Sequence, residues 1–127
     1  MNKYKILIAD DEPYVARVLK LVLQKEGYMV TCVNNGKEAL DVYAEVSPDV
    51  VVTDVKMPHV SGRKLVETIR TIDGSDKTPV VVMTSTLESE NREWVHDVGN
   101  VSFLGKPVSP RDLVRIINSH FMHSKAS

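Results

Sequence analysis

The chain has 127 residues, with 16 Lys plus Arg against 17 Asp plus Glu and a formal net charge of −1. This length predicts one domain over 1–127, with a core at about 3–121 and a short tail at 122–127. The balanced charge argues against direct binding of nucleic acid, and no apolar run approaches the ~20 residues of a membrane span. We therefore predict a soluble, cytoplasmic protein.

Short apolar segments alternate with longer amphipathic ones along the chain. In chain order, we predict strand Tyr4–Ala9, helix Tyr14–Lys25, strand Tyr28–Val33, helix Lys37–Val46, strand Asp49–Thr53, helix Gly62–Thr71, strand Pro79–Met83, helix Glu88–Val98, strand Val101–Leu104 and helix Ser109–Phe121. The valine runs in the third and fourth strands are apolar on both faces, which is typical of parallel strands covered by helices on both sides. The alternation predicts a doubly wound α/β fold with five parallel strands.

Two segments carry weaker signals. The segment Glu88–Val98 has only Trp94, Val95 and Val98 as apolar residues, so we expect it to be among the least stable helices. The single cysteine, Cys32, lies in an apolar alternating segment and is interpreted as a buried structural thiol.

Charged residues follow three of the predicted strands. Asp10-Asp11-Glu12 follows the first strand, Asp54 follows the third, and Lys106 follows the fifth. If the first and third strands are neighbours, these side chains converge at the carboxyl edge of the sheet, where open α/β sheets bind ligands. The three carboxylates of Asp10, Asp11 and Asp54 and the ammonium of Lys106 in one place predict a magnesium-dependent phosphate site. Taken alone, Asp10-Asp11 before a helix is equally compatible with simple N-capping.

With these motifs in place, the chain from about residue 3 to about residue 120 resembles a response-regulator receiver domain, the phospho-accepting module of two-component signalling. The resemblance implies a CheY-like, flavodoxin-like (βα)5 fold with strand order 2-1-3-4-5. It also implies a switch protein rather than a turnover enzyme.

The resemblance assigns a role to each strand-end residue. Asp54 would be the phospho-acceptor, whose carboxylate attacks a phosphoryl group. Lys106 would pair with Asp54 before the reaction and with a phosphoryl oxygen after it, and Thr84 would offer its hydroxyl to another phosphoryl oxygen.

The resemblance also implies a divalent cation, Mg²⁺ or Mn²⁺. Asp11, Asp54 and the main-chain carbonyl of Lys56 would be its ligands, and Asp10 would act behind them. Without a cation, an anionic donor would have to approach a cluster of like charges.

Other positions are expected to carry the switch and to set its rate. By resemblance, Thr84 moves toward the phosphoryl group and Phe103 turns inward, altering the surface at 88–121. Phe103 stands where tyrosine is commoner, so it acts through its rotamer and buried area alone. Lys56 and Thr86 occupy positions that flank the path of the hydrolytic water in this family.

Three function classes follow. The first is a phosphorylatable receiver that takes its phosphoryl group from a sensor histidine kinase or a histidine phosphotransfer protein. Such a receiver signals to a downstream protein, and a phosphorylation-dependent dimer is compatible with it. The second is a receiver-like interaction module that works without phosphate. The third, an electron carrier or small hydrolase, lacks a Gly-rich phosphate loop and a Ser-His-Asp set. A stand-alone receiver and the amino-terminal piece of a longer protein are both compatible with a chain that ends soon after the last predicted helix.

Overall fold

Strands and helices alternate along the chain in the computed structural model, which describes residues 4–57, 59–73, 78–85 and 100–126. The elements are β1 Lys5–Ala9, α1 Pro13–Lys25, β2 Met29–Val33, α2 Gly36–Val46, β3 Val50–Asp54, α3 Gly62–Asp73, β4 Val80–Thr84, β5 Val101–Gly105 and α4 Pro110–Ala126. Most limits agree with the predicted ones to within two residues. The predicted helix Glu88–Val98 lies outside the described residues.

The last helix is longer than predicted. It continues from Phe121 to Ala126, because the residues after Phe121 include neither glycine nor proline to end it. Its start matches the sequence signal, since the Ser109 hydroxyl accepts the Asp112 amide at 3.3 Å and Pro110 is the first helical residue. None of the described helices combines the length and the apolarity that crossing a membrane requires.

All five strands are parallel and lie in the order β2-β1-β3-β4-β5. Strand β1 therefore has β3 as a direct neighbour, and Ala9 is paired with Thr53 in the register. The predicted fold class and strand order are confirmed. Asp10 and Asp54 follow directly after this matched pair, which brings their side chains to the same edge of the sheet.

The core lies on both faces of the sheet. Along β3, Val50 and Val52 face the cluster that packs against α1 and α4, whereas Val51 faces the cluster that packs against α2 and α3. These three valines are 0% exposed, which confirms the prediction of strands buried on both faces. Each fully buried side chain of this size contributes about 1.5–3 kcal/mol to the free energy of folding. The central strands are therefore stable elements for positioning a site at their ends.

The edge strand β2 is less covered. Cys32 is half-buried there, and its thiol donates to the Ala16 carbonyl at 3.7 Å. Burial raises the pKa of this thiol. The thiol is less buried than predicted, because an edge strand lacks a neighbouring strand on one side.

Candidate functional site

The carboxyl ends of β1, β3, β4 and β5 enclose a polar cavity of about 300 Å³. Its lining consists of Asp11, Glu12, Asp54, Val55, Lys56, Thr84, Ser85 and Lys106. The fold thus brings together residues that are 94 positions apart, such as Glu12 and Lys106. This is the strand-end convergence that the sequence predicted.

Lys106 is the centre of the charge arrangement. Its Nζ donates to Asp54 Oδ2 at 2.6 Å and to Glu12 Oε1 at 3.2 Å, and it lies 3.9 Å from Asp10 Oδ2. Partial burial by itself lowers the pKa of the ammonium, but the hydrogen bonds to Asp54 and Glu12 outweigh it and leave the pKa above its ordinary value. Lys106 therefore carries a fixed positive charge among carboxylates at any physiological pH.

Asp54 is the last residue of β3 and is 7% exposed. Its Oδ1 accepts the Val55 amide at 2.8 Å, and its Oδ2 accepts Lys106 Nζ at 2.6 Å. The carboxylate does not cap helix α3, whose Lys64 amide is bonded to the Ser61 hydroxyl instead. Its oxygens are held at the mouth of the cavity by partners on both sides.

Asp10 is wholly buried at the end of β1. Its Oδ1 accepts the Glu12 amide at 2.8 Å, so Asp10 fixes the loop before α1 rather than capping that helix. Its Oδ2 is buried without a hydrogen-bond partner. Burial raises the pKa of Asp10. A buried carboxylate oxygen without a donor needs a partner such as an ordered water or a cation.

The arrangement fits a hard divalent cation. One carboxylate oxygen from each of Asp10, Asp11, Glu12 and Asp54 lies within 4.8 Å of the others. Oxygen ligands of this kind are the ones that Mg²⁺ and Mn²⁺ prefer. Asp11 and Glu12 are exposed, which leaves room for the waters that Mg²⁺ retains.

The remaining predicted residues lie around this centre at different depths. Thr84 ends β4, is 4% exposed and accepts the Lys106 amide through its main-chain carbonyl at 2.8 Å. Lys56 is exposed on the cavity wall. Phe103 is half-buried in β5 and packs against the core cluster under α2 and α3. Thr86 lies outside the described residues.

Sequence reasoning assigned no role in the site to two of its residues. The carboxylate of Glu12 contacts Lys106, although its only sequence signal was a third acid in the run after β1. Gly62 begins α3 so close to β3 that a Cβ atom would lie 2.0 Å from the Asp54 carbonyl oxygen. Its amide donates to the Val55 carbonyl at 2.8 Å, so only glycine allows this close approach.

A second cavity, of about 450 Å³, adjoins the polar one. It is lined by Glu12, Tyr14, Val15, Val18, Leu19, Lys106, Pro107, Val108 and Pro110. This groove is mostly apolar, and Tyr14 at its rim is 84% exposed. Glu12 and Lys106 line both cavities and so separate the acidic site from the groove.

Known proteins are similar to this chain in sequence. It is 32% identical over 115 residues to the uncharacterized 14.6 kDa protein in the sodA1 3′ region of Leptolyngbya boryana, covering 91% of this chain and 88% of that protein. It is 34% identical to the transcriptional regulatory protein ResD of Bacillus subtilis, covering 89% of this chain but 46% of ResD. The chain thus spans about half the length of that regulator.

Solved structures share its fold. The chemotaxis protein CheY4 of Vibrio cholerae superposes with a TM-score of 0.86 at 28% sequence identity, covering 93% of this chain and 98% of that one. The profile of the response regulator receiver domain matches residues 6–118, nearly the whole of the sheet and its helices. This chain belongs to the response regulator receiver domain family.

Proposed function

We propose that the protein accepts a phosphoryl group on Asp54 from a phosphohistidine of a sensor histidine kinase or histidine phosphotransfer protein. The observation that carries this proposal is the 2.6 Å contact between Asp54 and Lys106 inside a cluster of four carboxylates. Membership of the receiver family supports it, and so do relatives that are named as regulatory proteins.

The proposed chemistry needs no general base. A carboxylate oxygen of Asp54 bonds to phosphorus while the bond from phosphorus to the donor's imidazole nitrogen breaks, and the electron pair of that bond leaves with the imidazole. The Lys106 ammonium then pairs with a phosphoryl oxygen in place of the lost carboxylate charge. The Thr84 hydroxyl is proposed to donate to another phosphoryl oxygen.

Asp11, Asp54 and the main-chain carbonyl of Lys56 are proposed to hold Mg²⁺ or Mn²⁺, with Asp10 behind them. The cation, when bound, offsets the repulsion between the carboxylates and an anionic donor. Asp10 fits the supporting role, because its Oδ1 fixes the loop and its buried Oδ2 has no hydrogen-bond partner.

We propose that phosphorylation is read out through Thr84 and Phe103, which alter the surface at 88–121 for a downstream protein or for a second copy of the chain. The charge of the new phosphoryl group would draw Thr84 inward, and Phe103 would follow by repacking. Residues 88–99 of this surface lie outside the described residues. We propose that residues 1–127 form a single receiver domain, that it is cytoplasmic, and that it turns over no external substrate.

Lys56 and Thr86 are proposed to set the lifetime of the phosphoryl group by flanking the path of the hydrolytic water. Lys56 is exposed on the cavity wall, where its side chain is free to cover that path. A Lys56→Ala protein with an unchanged phosphoryl half-life would contradict this role.

The test is intact mass after incubation with acetyl phosphate or phosphoramidate, with and without Mg²⁺. We expect the wild type to gain one phosphoryl group only with Mg²⁺, and Asp54→Asn to gain none. Asp41→Asn is the matched control, because this exposed carboxylate on α2 pairs with Lys37 away from the site.

If the wild type gains no mass from small donors, the experiment is repeated with a phosphohistidine protein as the donor. Failure with both donors would overturn the proposal and favour an interaction module that works without phosphate.

A further inference from the structure

Glu12 makes a contact that the proposed reaction does not yet use. Its Oε1 accepts Lys106 Nζ at 3.2 Å while Lys106 also donates to Asp54 at 2.6 Å. An ammonium has three N–H donors, so one lysine can serve both carboxylates at once. Glu12 precedes α1 and Asp54 ends β3, so Lys106 joins two separate elements of the site.

The main chain of Glu12 is fixed on both sides. Its amide donates to Asp10 Oδ1 at 2.8 Å, and its carbonyl accepts the Ala16 amide at 3.1 Å. The side chain therefore extends toward Lys106 from a fixed starting point, which lowers the entropy lost in forming the contact.

The direction of the Glu12 side chain is informative because of its place in α1. Glu12 is the N-cap residue of this helix, yet its side chain makes no capping hydrogen bond. Side chains at this position ordinarily accept an amide of the first turn. The carboxylate of Glu12 is bonded to Lys106 instead, and the N-cap position serves the acidic site.

We propose that Glu12 is a positioning residue that holds the Lys106 ammonium beside Asp54 during phosphoryl transfer. When Asp54 bonds to phosphorus, its carboxylate loses its negative charge and holds Lys106 less strongly. Glu12 is unchanged by the reaction, so it keeps the ammonium where a phosphoryl oxygen arrives. This inference rests on the proposed function of Asp54 and adds a residue that acts through Lys106.

The first test is the rate of phosphorylation by acetyl phosphate, measured against donor concentration at saturating Mg²⁺. For Glu12→Gln we expect a maximal rate about two- to fivefold lower, the range for a partly exposed ion pair. The half-saturating donor concentration should not rise, because Asp54 itself still holds Lys106 before its bond to phosphorus forms. The affinity for beryllium fluoride, an equilibrium mimic of the phosphoryl group, should fall by a similar factor.

Two variants separate contact from general charge. Glu12→Asp keeps the charge but shortens the side chain by one methylene, so we expect it to behave like Glu12→Gln. Glu45→Gln removes a charge from an exposed position on α2 and should match the wild type. If Glu12→Asp matches the wild type while Glu12→Gln does not, only the local charge matters and the proposal is overturned.

A double-mutant test asks whether Glu12 acts through Lys106. In a Lys106→Met protein, Glu12→Gln should cause no further loss of rate or of beryllium fluoride affinity. An equal loss in both backgrounds would overturn the proposal, and so would a tenfold loss of Mg²⁺ affinity in Glu12→Gln, which would make Glu12 a metal ligand.

Failure of this inference is distinct from failure of the proposed function. A wild type that is phosphorylated, with Glu12→Gln kinetics identical to it, would overturn the role of Glu12 alone. A wild type that is never phosphorylated would overturn both.

Discussion

The two edges of the sheet use their polar groups in opposite ways. At the carboxyl edge, one ammonium lies among carboxylates, and a buried oxygen of Asp10 has no hydrogen-bond partner. At the amino edge, the Lys5 amide donates to Asp49 Oδ2 at 2.7 Å, and the Tyr4 and Phe121 rings stack with centroids 3.7 Å apart. The carboxyl edge thus contains a buried acceptor without a donor, whereas the Asp49 acceptor at the amino edge has its donor and the rings beside it are packed.

The difference teaches where stability and chemistry reside in this fold. Helix α4 begins at Pro110, shortly after Lys106, and carries Asn118 and Phe121 in its second half. Asn118 accepts the Tyr28 hydroxyl, and Phe121 lies against the rings of Tyr4 and Tyr28. None of these three aromatic residues lines the polar cavity at the carboxyl edge.

The largest effect expected from this comparison is on the chemistry of the carboxyl edge. Lys106→Met should lower the rate of phosphorylation by acetyl phosphate about 100-fold, since it removes a preorganised cation that faces the developing charge. The rate is measured by intact mass against time. Lys37→Met, on exposed α2, is the matched control and should keep the wild-type rate.

If the two edges are independent, a substitution at the carboxyl edge leaves the structure of the amino edge unchanged. We therefore expect the NMR signals of Tyr4 and Tyr28 to be the same in Lys106→Met as in the wild type. Large shifts of these signals would contradict the comparison.

The next effect is on stability and should appear at the amino edge. Phe121→Ala removes a half-buried ring that contacts Tyr4 and Tyr28. It should lower the free energy of unfolding by about 2 kcal/mol, less than the ~3–5 kcal/mol lost when a fully buried ring is truncated. Urea denaturation measures this loss. Ile72→Ala, which is 57% exposed on α3, should lose well under half as much.

Phosphorylation of Phe121→Ala should stay within about twofold of the wild-type rate, because the ring lies at the edge opposite the site. A loss of rate comparable to that of Lys106→Met would show that the two edges are not independent.

The smallest expected effect concerns the Asp10 carboxylate, whose buried Oδ2 has no hydrogen-bond partner. Its folded pKa is raised above its ordinary value of 3.8, so the folded state holds this proton more tightly than the unfolded chain does. Ionisation of Asp10 therefore destabilises the fold as pH rises from about 3.8 through the folded pKa. Asp10→Asn should raise the free energy of unfolding at pH 7 by about 1–2 kcal/mol in the absence of Mg²⁺.

The pH dependence is the decisive part of this prediction. The gain in Asp10→Asn should vanish at pH 3, where the wild-type carboxyl is protonated in both states. Urea denaturation at several pH values with EDTA present provides the measurement, and Asp41→Asn is the exposed control. A gain that is the same at pH 3 and pH 7 would show that the charge of Asp10 is not its cause.

Much of the fold could be predicted because its signals are local and periodic. The valines of β3 and β4 are apolar on both faces, which indicated a parallel sheet covered on both sides. The positions of Asp54 and Lys106 could be predicted because parallel strands end at the same edge. These inferences depend on the main chain and on residue type, both of which the sequence carries directly.

The parts that could not be predicted depend on side-chain direction and on distances between elements. Nothing in the run Asp10-Asp11-Glu12 indicates that Glu12 bonds to Lys106 and not to its own helix. The half-burial of Cys32 follows from the edge position of β2, which periodicity does not give. The closeness of Gly62 to Asp54 depends on how α3 packs, and a glycine at the start of a helix is ordinary without that information.

The glycines at the starts of α2 and α3 have a consequence for protein engineering. Replacing helical glycines by alanine is a common way to stabilise a protein, because it restricts the unfolded chain. Here a Cβ at Gly36 would lie 2.3 Å from the Val60 carbonyl oxygen, and one at Gly62 would lie 2.0 Å from that of Asp54. Neither glycine leaves room for a Cβ, so thermostabilised versions of this protein must find their gains at other positions.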